Sequence, residues 1–83
     1  IIHGGNDEQI PTVSSEWLTK HLCDIGQDVS RWVYPGQSHA GVIGPSASDM
    51  LTWMDHRFAG EATPDPMTPT GQSDVAVTRC PQS

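Results

Sequence analysis

Two residues carry the chemistry this chain offers: the acid Asp7 and the histidine His39. Asp7 follows the apolar pair Ile1-Ile2 and the glycines Gly4-Gly5. His39 follows the β-rich run Val29-Ser-Arg-Trp-Val-Tyr34 and the turn pair Pro35-Gly36. An acid that accepts the Nδ1 proton of a histidine fixes its tautomer and stabilises the imidazolium. The free Nε2 then acts as a base toward a hydroxyl nucleophile. A pair 32 residues apart can do this only if the fold brings both loops to one place.

The elements needed for that are visible. Ile1-Ile2 before Gly4-Gly5 reads as the end of a strand. Residues 12–25 read as a helix, with Thr12, Ser14 and Ser15 as N-cap candidates and Gly26 at the C′ position. Leu18, Leu22 and Ile25 share one face, with Trp17 at its edge, and Glu16 pairs with Lys20 on another. Residues 28–34 read as a second strand. Ser46 opens a second helix with Asp49 at N3, Met50, Leu51, Met54 and Phe58 as its apolar stripe, and Gly60 as its stop. Strand, helix, strand, helix with short links is a βαβα unit with parallel strands. In such sheets ligands bind beyond the carboxyl ends of the strands, where Asp7 and His39 both fall. Val75-Ala76-Val77 reads as a further edge strand.

Composition narrows the class. Eighty-three residues form at most one small domain. Aromatic residues are confined to residues 1–60, and residues 61–73 read as a Pro/Thr-rich tail or linker. This divides the chain into a folded segment, 1–60, and a tail, 61–83. A net charge of −6 with four Lys plus Arg argues against nucleic acid and anionic membrane surfaces as partners. No apolar run approaches the roughly 20 residues of a membrane span, and no signal peptide is visible. The chain starts on Ile-Ile, inside an apparent strand, which predicts processing or further residues upstream.

Cys23 and Cys80 are either two unrelated thiols or one disulfide pinning the tail to the body. Cys80 sits in a polar stretch, with no core to explain it. A closed loop of about 57 residues would stabilise by roughly 4 kcal/mol on the chain-entropy model. Such a bond implies a secreted or periplasmic protein.

The motifs also carry a resemblance. His3-Gly4-x-x-Asp7-x-x-Ile10-Pro11 resembles the HGxxDxxVP acid loop of α/β-hydrolases, and Tyr34-Pro35-Gly36-x-x-His39 resembles their histidine loop. Leu22-Cys23-x-x-Gly26-x-x-Val29, the helix end Trp53–Gly60 and the late Cys80 are similar to the secretory lipase family. Prolyl-peptidase-like enzymes, cutinase-like esterases and dienelactone hydrolases share the same two loops. The resemblance covers residues 1–60 and touches the tail weakly. It implies the C-terminal βαβα portion of an α/β-hydrolase sheet followed by an irregular tail. Asp7 would be the triad acid and His39 the triad histidine. The implied enzyme is a secreted serine hydrolase acting on carboxylic esters or lipids, without cofactor or metal. Its serine, oxyanion hole and lid would lie in an N-terminal portion outside this chain. The same loops also fit a peptidase, an acyltransferase or a non-catalytic binding module.

Other residues read as decoys. Gly36-Gln37-Ser38-His39-Ala40 imitates a nucleophile elbow, but Gly41–Pro45 after it reads as non-helical, and an elbow needs a helix at once. Ser38 is therefore a polar neighbour of His39. His21 and Cys23 stand two apart on a helix and do not face one metal site. His3 reads as structural, its ring bonding near the acid loop. His56 reads as a surface residue, and Trp17, Trp32 and Trp53 as core or sheet-covering aromatics.

Overall fold

A computed structural model describes residues 1–60 and 67–80. The elements are β1 (Ile2–Gly4), α1 (Thr12–Asp24), β2 (Ser30–Tyr34), α2 (Ile43–Phe58) and β3 (Ala76–Arg79). They form a small mixed α/β structure around a three-stranded sheet in the order β1-β2-β3. β1 pairs with β2 in parallel, with Ile2 opposite Trp32 and Gly4 opposite Tyr34. β3 lies antiparallel on the other side of β2, with Val77 opposite Trp32.

Side chains alternate across this sheet. Trp32 and Tyr34 bury one face together with Val42, and Ile2, Met67, Val75 and Val77 pack around them. α2 covers this face through Asp49, whose Oδ2 accepts the Tyr34 hydroxyl at 2.7 Å. His3 and Arg31 point the other way and meet α1 at Ser15.

The helices start and stop for local reasons. Gly26, at φ +89°, ends α1 in a Schellman arrangement. The Gln27 N–H bonds the Leu22 carbonyl, and the Gly26 N–H bonds that of Cys23. The hydroxyl N-caps expected for α1 are not used: Pro11 is the N-cap and no side chain caps the end. α2 begins at Ile43, three residues before the expected Ser46. Pro45 does not prevent this, because the first-turn N–H groups of a helix have no intrahelical partner to lose. Asp49 is thus well inside the helix and bonds across the molecule instead of closing a capping box.

Both helices bury polar residues where apolar stripes were expected. α1 buries Ser15 and Thr19, and α2 buries Ser46 and Asp49. Leu18, Ile25, Met50, Leu51, Met54 and Phe58 are all exposed. Of the three tryptophans only Trp32 is core; Trp17 is 65% exposed and stacks on His21.

Part of the expected tail, residues 61–66, lies outside the described residues. The next stretch, 67–75, has no helix or strand, as expected, but it is tied to the body. Asp49 Oδ1 accepts the Thr70 N–H and its Oδ2 the Gly71 N–H, both at 2.8 Å. β3 then joins the sheet, and Cys80 forms a disulfide with Cys23, with Cα atoms 5.4 Å apart. Asp49 is 3% exposed. Burial pushes its carboxyl up, but the Thr70 N–H, the Tyr34 hydroxyl and the Gly71 N–H bring it below its ordinary value. Tyr34 is held well above its ordinary value by burial, then by its bond to that carboxylate and the negative charge.

Two variants test these fastenings by urea denaturation. Asp49→Ala strands three donors and is expected to cost about 3 kcal/mol. Replacing both cysteines by Ser is expected to cost roughly 4 kcal/mol. A change below 1 kcal/mol in either would contradict the role assigned.

Candidate functional site

Parallel β1 and β2 release their following loops at the same sheet edge, and the two loops touch. The Gly5 N–H bonds the Tyr34 carbonyl at 2.8 Å and the Asn6 N–H bonds that of Gln37 at 2.9 Å. Gly4 permits this approach: a Cβ there would collide with the carbonyl oxygens of Gln37 and Ser38. The acid loop therefore lies directly against the histidine loop.

The contact brings Asp7 and His39 together, with His39 Nδ1 2.8 Å from Asp7 Oδ2. The carboxylate only accepts, so Nδ1 carries the proton and Nε2 is the free ring atom. Among the described residues Nε2 has no hydrogen-bond partner. The other carboxylate oxygen, Oδ1, accepts the N–H groups of Gln9 and Ile10, each at 2.8 Å. The Asp7 side chain is 4% exposed and that of His39 45%. An anchored acid thus holds a half-exposed histidine whose Nε2 has no partner among the described residues.

Burial pushes the Asp7 carboxyl up. The Ile10 N–H, the His39 ring, the Gln9 N–H and the attraction of His39 outweigh it and bring it down to about 2. Asp7 remains a carboxylate wherever the histidine can act as a base.

His3 is buried beside this pair, and its ring bonds near the acid loop, as the sequence suggested. Its Nε2 is 2.9 Å from the Ile10 carbonyl and 3.2 Å from Asp7 Oδ2. Ser38 lies next to His39 in the chain and serves the backbone: its Oγ accepts the Gly41 N–H at 2.9 Å. It starts the turn that leads into α2, and the Val42 N–H bonds its carbonyl.

Sequence reasoning missed the supports behind the histidine loop. Gln72 donates to the Pro35 carbonyl, and Gln37 donates to the Gln72 side chain. With Asp49 holding Thr70 and Gly71, the segment before β3 braces the loop that carries His39. A mid-helix Asp among apolar residues was the available signal for Asp49.

Two clefts border the sheet. One of about 260 Å³ is lined by His39, Asp7, His3, Ile10, Ser14 and Leu18. The larger, about 350 Å³, lies at Ile2, Val29, Trp32, Met50 and Trp53, away from the pair. The smaller is the candidate site, because it alone contains a base and its acid. Among the described residues no cluster of three or more His, Cys, Asp or Glu could hold a metal ion, and no helix is long and apolar enough to cross a membrane.

No family model, curated protein or solved structure matches the chain.

Two outcomes check this geometry. Asp7 has a folded value of about 2 against an ordinary 3.8. The stability its ionised form contributes is complete above pH 4 and is lost as pH falls from about 4 toward 2. A carboxyl ¹³C titration is expected to place Asp7 near 2; a midpoint at 4 or above would contradict the donor set. Gly4→Ala is expected to force the loops apart and destabilise by about 1–3 kcal/mol. It should also abolish the imidazole Nδ1–H NMR signal of His39.

Proposed function

We propose that this chain is the acid- and histidine-bearing C-terminal part of a serine hydrolase of the α/β-hydrolase type, resembling the secretory lipases. Asp7 orients His39, and His39 Nε2 takes the proton of a serine hydroxyl supplied by an N-terminal portion of the same enzyme. The serine attacks a carboxylic ester, His39 returns the proton to the leaving alcohol, and water then releases the acid by the same route. No cofactor or metal is required. Asp7 stays unprotonated throughout and stabilises the imidazolium.

The observation that carries this reading is the 2.8 Å contact from His39 Nδ1 to an acid whose other oxygen is fixed by two backbone N–H groups. Ordinary turn acids bond their own loop and nothing further. Asp7 does both, across 32 residues. The βαβα order and the two loop motifs support the same fold.

A second observation favours a larger enzyme over a free-standing binding module. Ile10, Leu18, Met50 and Trp53 are exposed beside the two clefts, while among the described residues only Trp32, Tyr34 and Val42 form the buried apolar core. Such surface suits burial against further protein. The Cys23–Cys80 disulfide supports a secreted or periplasmic location. Ester or lipid is the proposed substrate class; a peptidase or acyltransferase would use the same pair.

The test is a fluorophosphonate probe on the enzyme that carries this chain, followed by peptide mass mapping. The label is expected on a serine upstream of residue 1. Label on Ser38 would overturn the proposal. Asp7→Asn is expected to lower kcat on the order of 10⁴-fold and His39→Ala on the order of 10⁶-fold. Wild-type turnover in either would also overturn it.

A further inference from the structure

A buried polar chain runs through the sheet behind Asp7, and the proton transfer proposed above makes no use of it. It begins at Arg31, on β2. Arg31 Nη2 donates to the Thr12 carbonyl and Arg31 Nε donates to Ser15 Oγ, both at 2.8 Å. Ser15 Oγ is 2.6 Å from His3 Nδ1. His3 Nε2 faces the Ile10 carbonyl and Asp7 Oδ2. Ser15 is 7% exposed and His3 6%.

Donor and acceptor rules give this chain one direction. Arg31 only donates, so it occupies a lone pair of Ser15 Oγ. The hydroxyl proton then has two acceptors in reach: His3 Nδ1 at 2.6 Å and the Thr12 carbonyl at 3.1 Å. His3 Nε2 faces only acceptors, the Ile10 carbonyl and Asp7 Oδ2, so that nitrogen carries the ring proton and the shorter contact, to Nδ1, takes the hydroxyl proton. His3 Nδ1 is therefore an acceptor, and the ring proton sits on Nε2, aimed at Ile10 and Asp7.

We propose that His3, set in its Nε2–H tautomer by Ser15 and Arg31, is a positioning residue for the Asp7–His39 pair. The inference rests on the acyl-transfer reading of that pair. His3 acts in two ways. Its bond to the Ile10 carbonyl pins the loop that supplies two N–H groups to Asp7 Oδ1. Its second contact, 3.2 Å from Nε2, sets the ring against Oδ2, the oxygen that faces His39. A carboxylate with three hydrogen bonds and the His3 ring packed against Oδ2 is held from turning away from His39. The sequence places an ordinary Arg in a strand and an ordinary Ser in a helix. Only the register, which puts Arg31 and His3 on the α1 face, joins them.

The experiment uses the enzyme carrying this chain, labelled with ¹⁵N at the histidine ring nitrogens. His3→Phe keeps a ring and removes both polar atoms; His3→Gln keeps a donor and an acceptor. Arg31→Met cuts the chain at its far end, where nothing touches Asp7. Wild type is expected to show Nε2–H for His3 and Nδ1–H for His39. In His3→Phe the His39 Nδ1–H signal should broaden or vanish, and kcat should fall about ten- to a hundredfold with KM unchanged. His3→Gln should restore most of both. Arg31→Met should turn His3 into a mixture of tautomers and lower kcat by a smaller factor. If His3→Phe does not fold, Arg31→Met decides. Unchanged tautomers and kcat in the folded variants, with Asp7→Asn still crippled, would overturn the positioning role alone. Wild-type turnover in Asp7→Asn would overturn the acyl-transfer reading beneath it.

Discussion

Parallel pairing of β1 with β2 sends both strands toward the same edge of the sheet, and their register stops them at the same level. Gly4 stands opposite Tyr34, so the acid loop and the histidine loop begin side by side. An antiparallel pair would have put Asp7 and His39 at opposite ends of the sheet. α1 is the crossover that parallel pairing demands. Its Schellman end turns the chain back into β2, and its buried face carries Ser15 to His3. Helix, register and glycine contact serve the same short distance between two loops.

Two buried carboxylates divide the work of holding those loops. Asp7 stands in front, with one oxygen on its own loop and the other on His39. Asp49 stands behind, with the Tyr34 hydroxyl on one side and two N–H groups of the segment before β3 on the other. Each is held below its ordinary value for the same reason: burial pushes it up, and the donors it collects outweigh burial. Their outcomes differ because of the partner. Asp49 meets a tyrosine that keeps its proton, so the contact is a fastening. Asp7 meets an imidazole, whose second nitrogen can take a proton from elsewhere.

The elements near the pair were legible because local signals and global fold agree there. The β-branched runs ending in Gly or Pro gave both strands, and Gly26 gave the end of α1. Their order gave parallel pairing, from which the meeting of Asp7 and His39 followed. The helix faces were not legible. Periodicity identifies an apolar stripe but not what covers it, and here Ser15, Thr19, Ser46 and Asp49 are the buried helix residues instead. The start of α2 was misplaced because proline was read as a breaker inside its first turn, where it is tolerated. Bonds that join distant segments, such as Arg31 to Ser15 or Gln72 to Pro35, have no sequence period and were out of reach.

The inverted helix faces have a physical cause. Close to the sheet, α1 and α2 must serve polar groups that the site needs: the His3 ring, the Arg31 guanidinium and the Tyr34 hydroxyl. Ser15 and Asp49 reach them directly, while Thr19 and Ser46 satisfy their own hydroxyls on carbonyls of their own helices. The apolar residues at helical spacing stay on the outside, and among the described residues three buried hydrophobes carry the core. A core that small offsets little of the chain entropy lost on folding. The long-range disulfide adds to it by restricting the unfolded chain, and the Asp49 fastening by satisfying buried donors. Leu18, Met50, Leu51 and Trp53 stay exposed and add little to that core. The pair thus rests on a polar inner layer, with apolar side chains left on the outer faces of both helices.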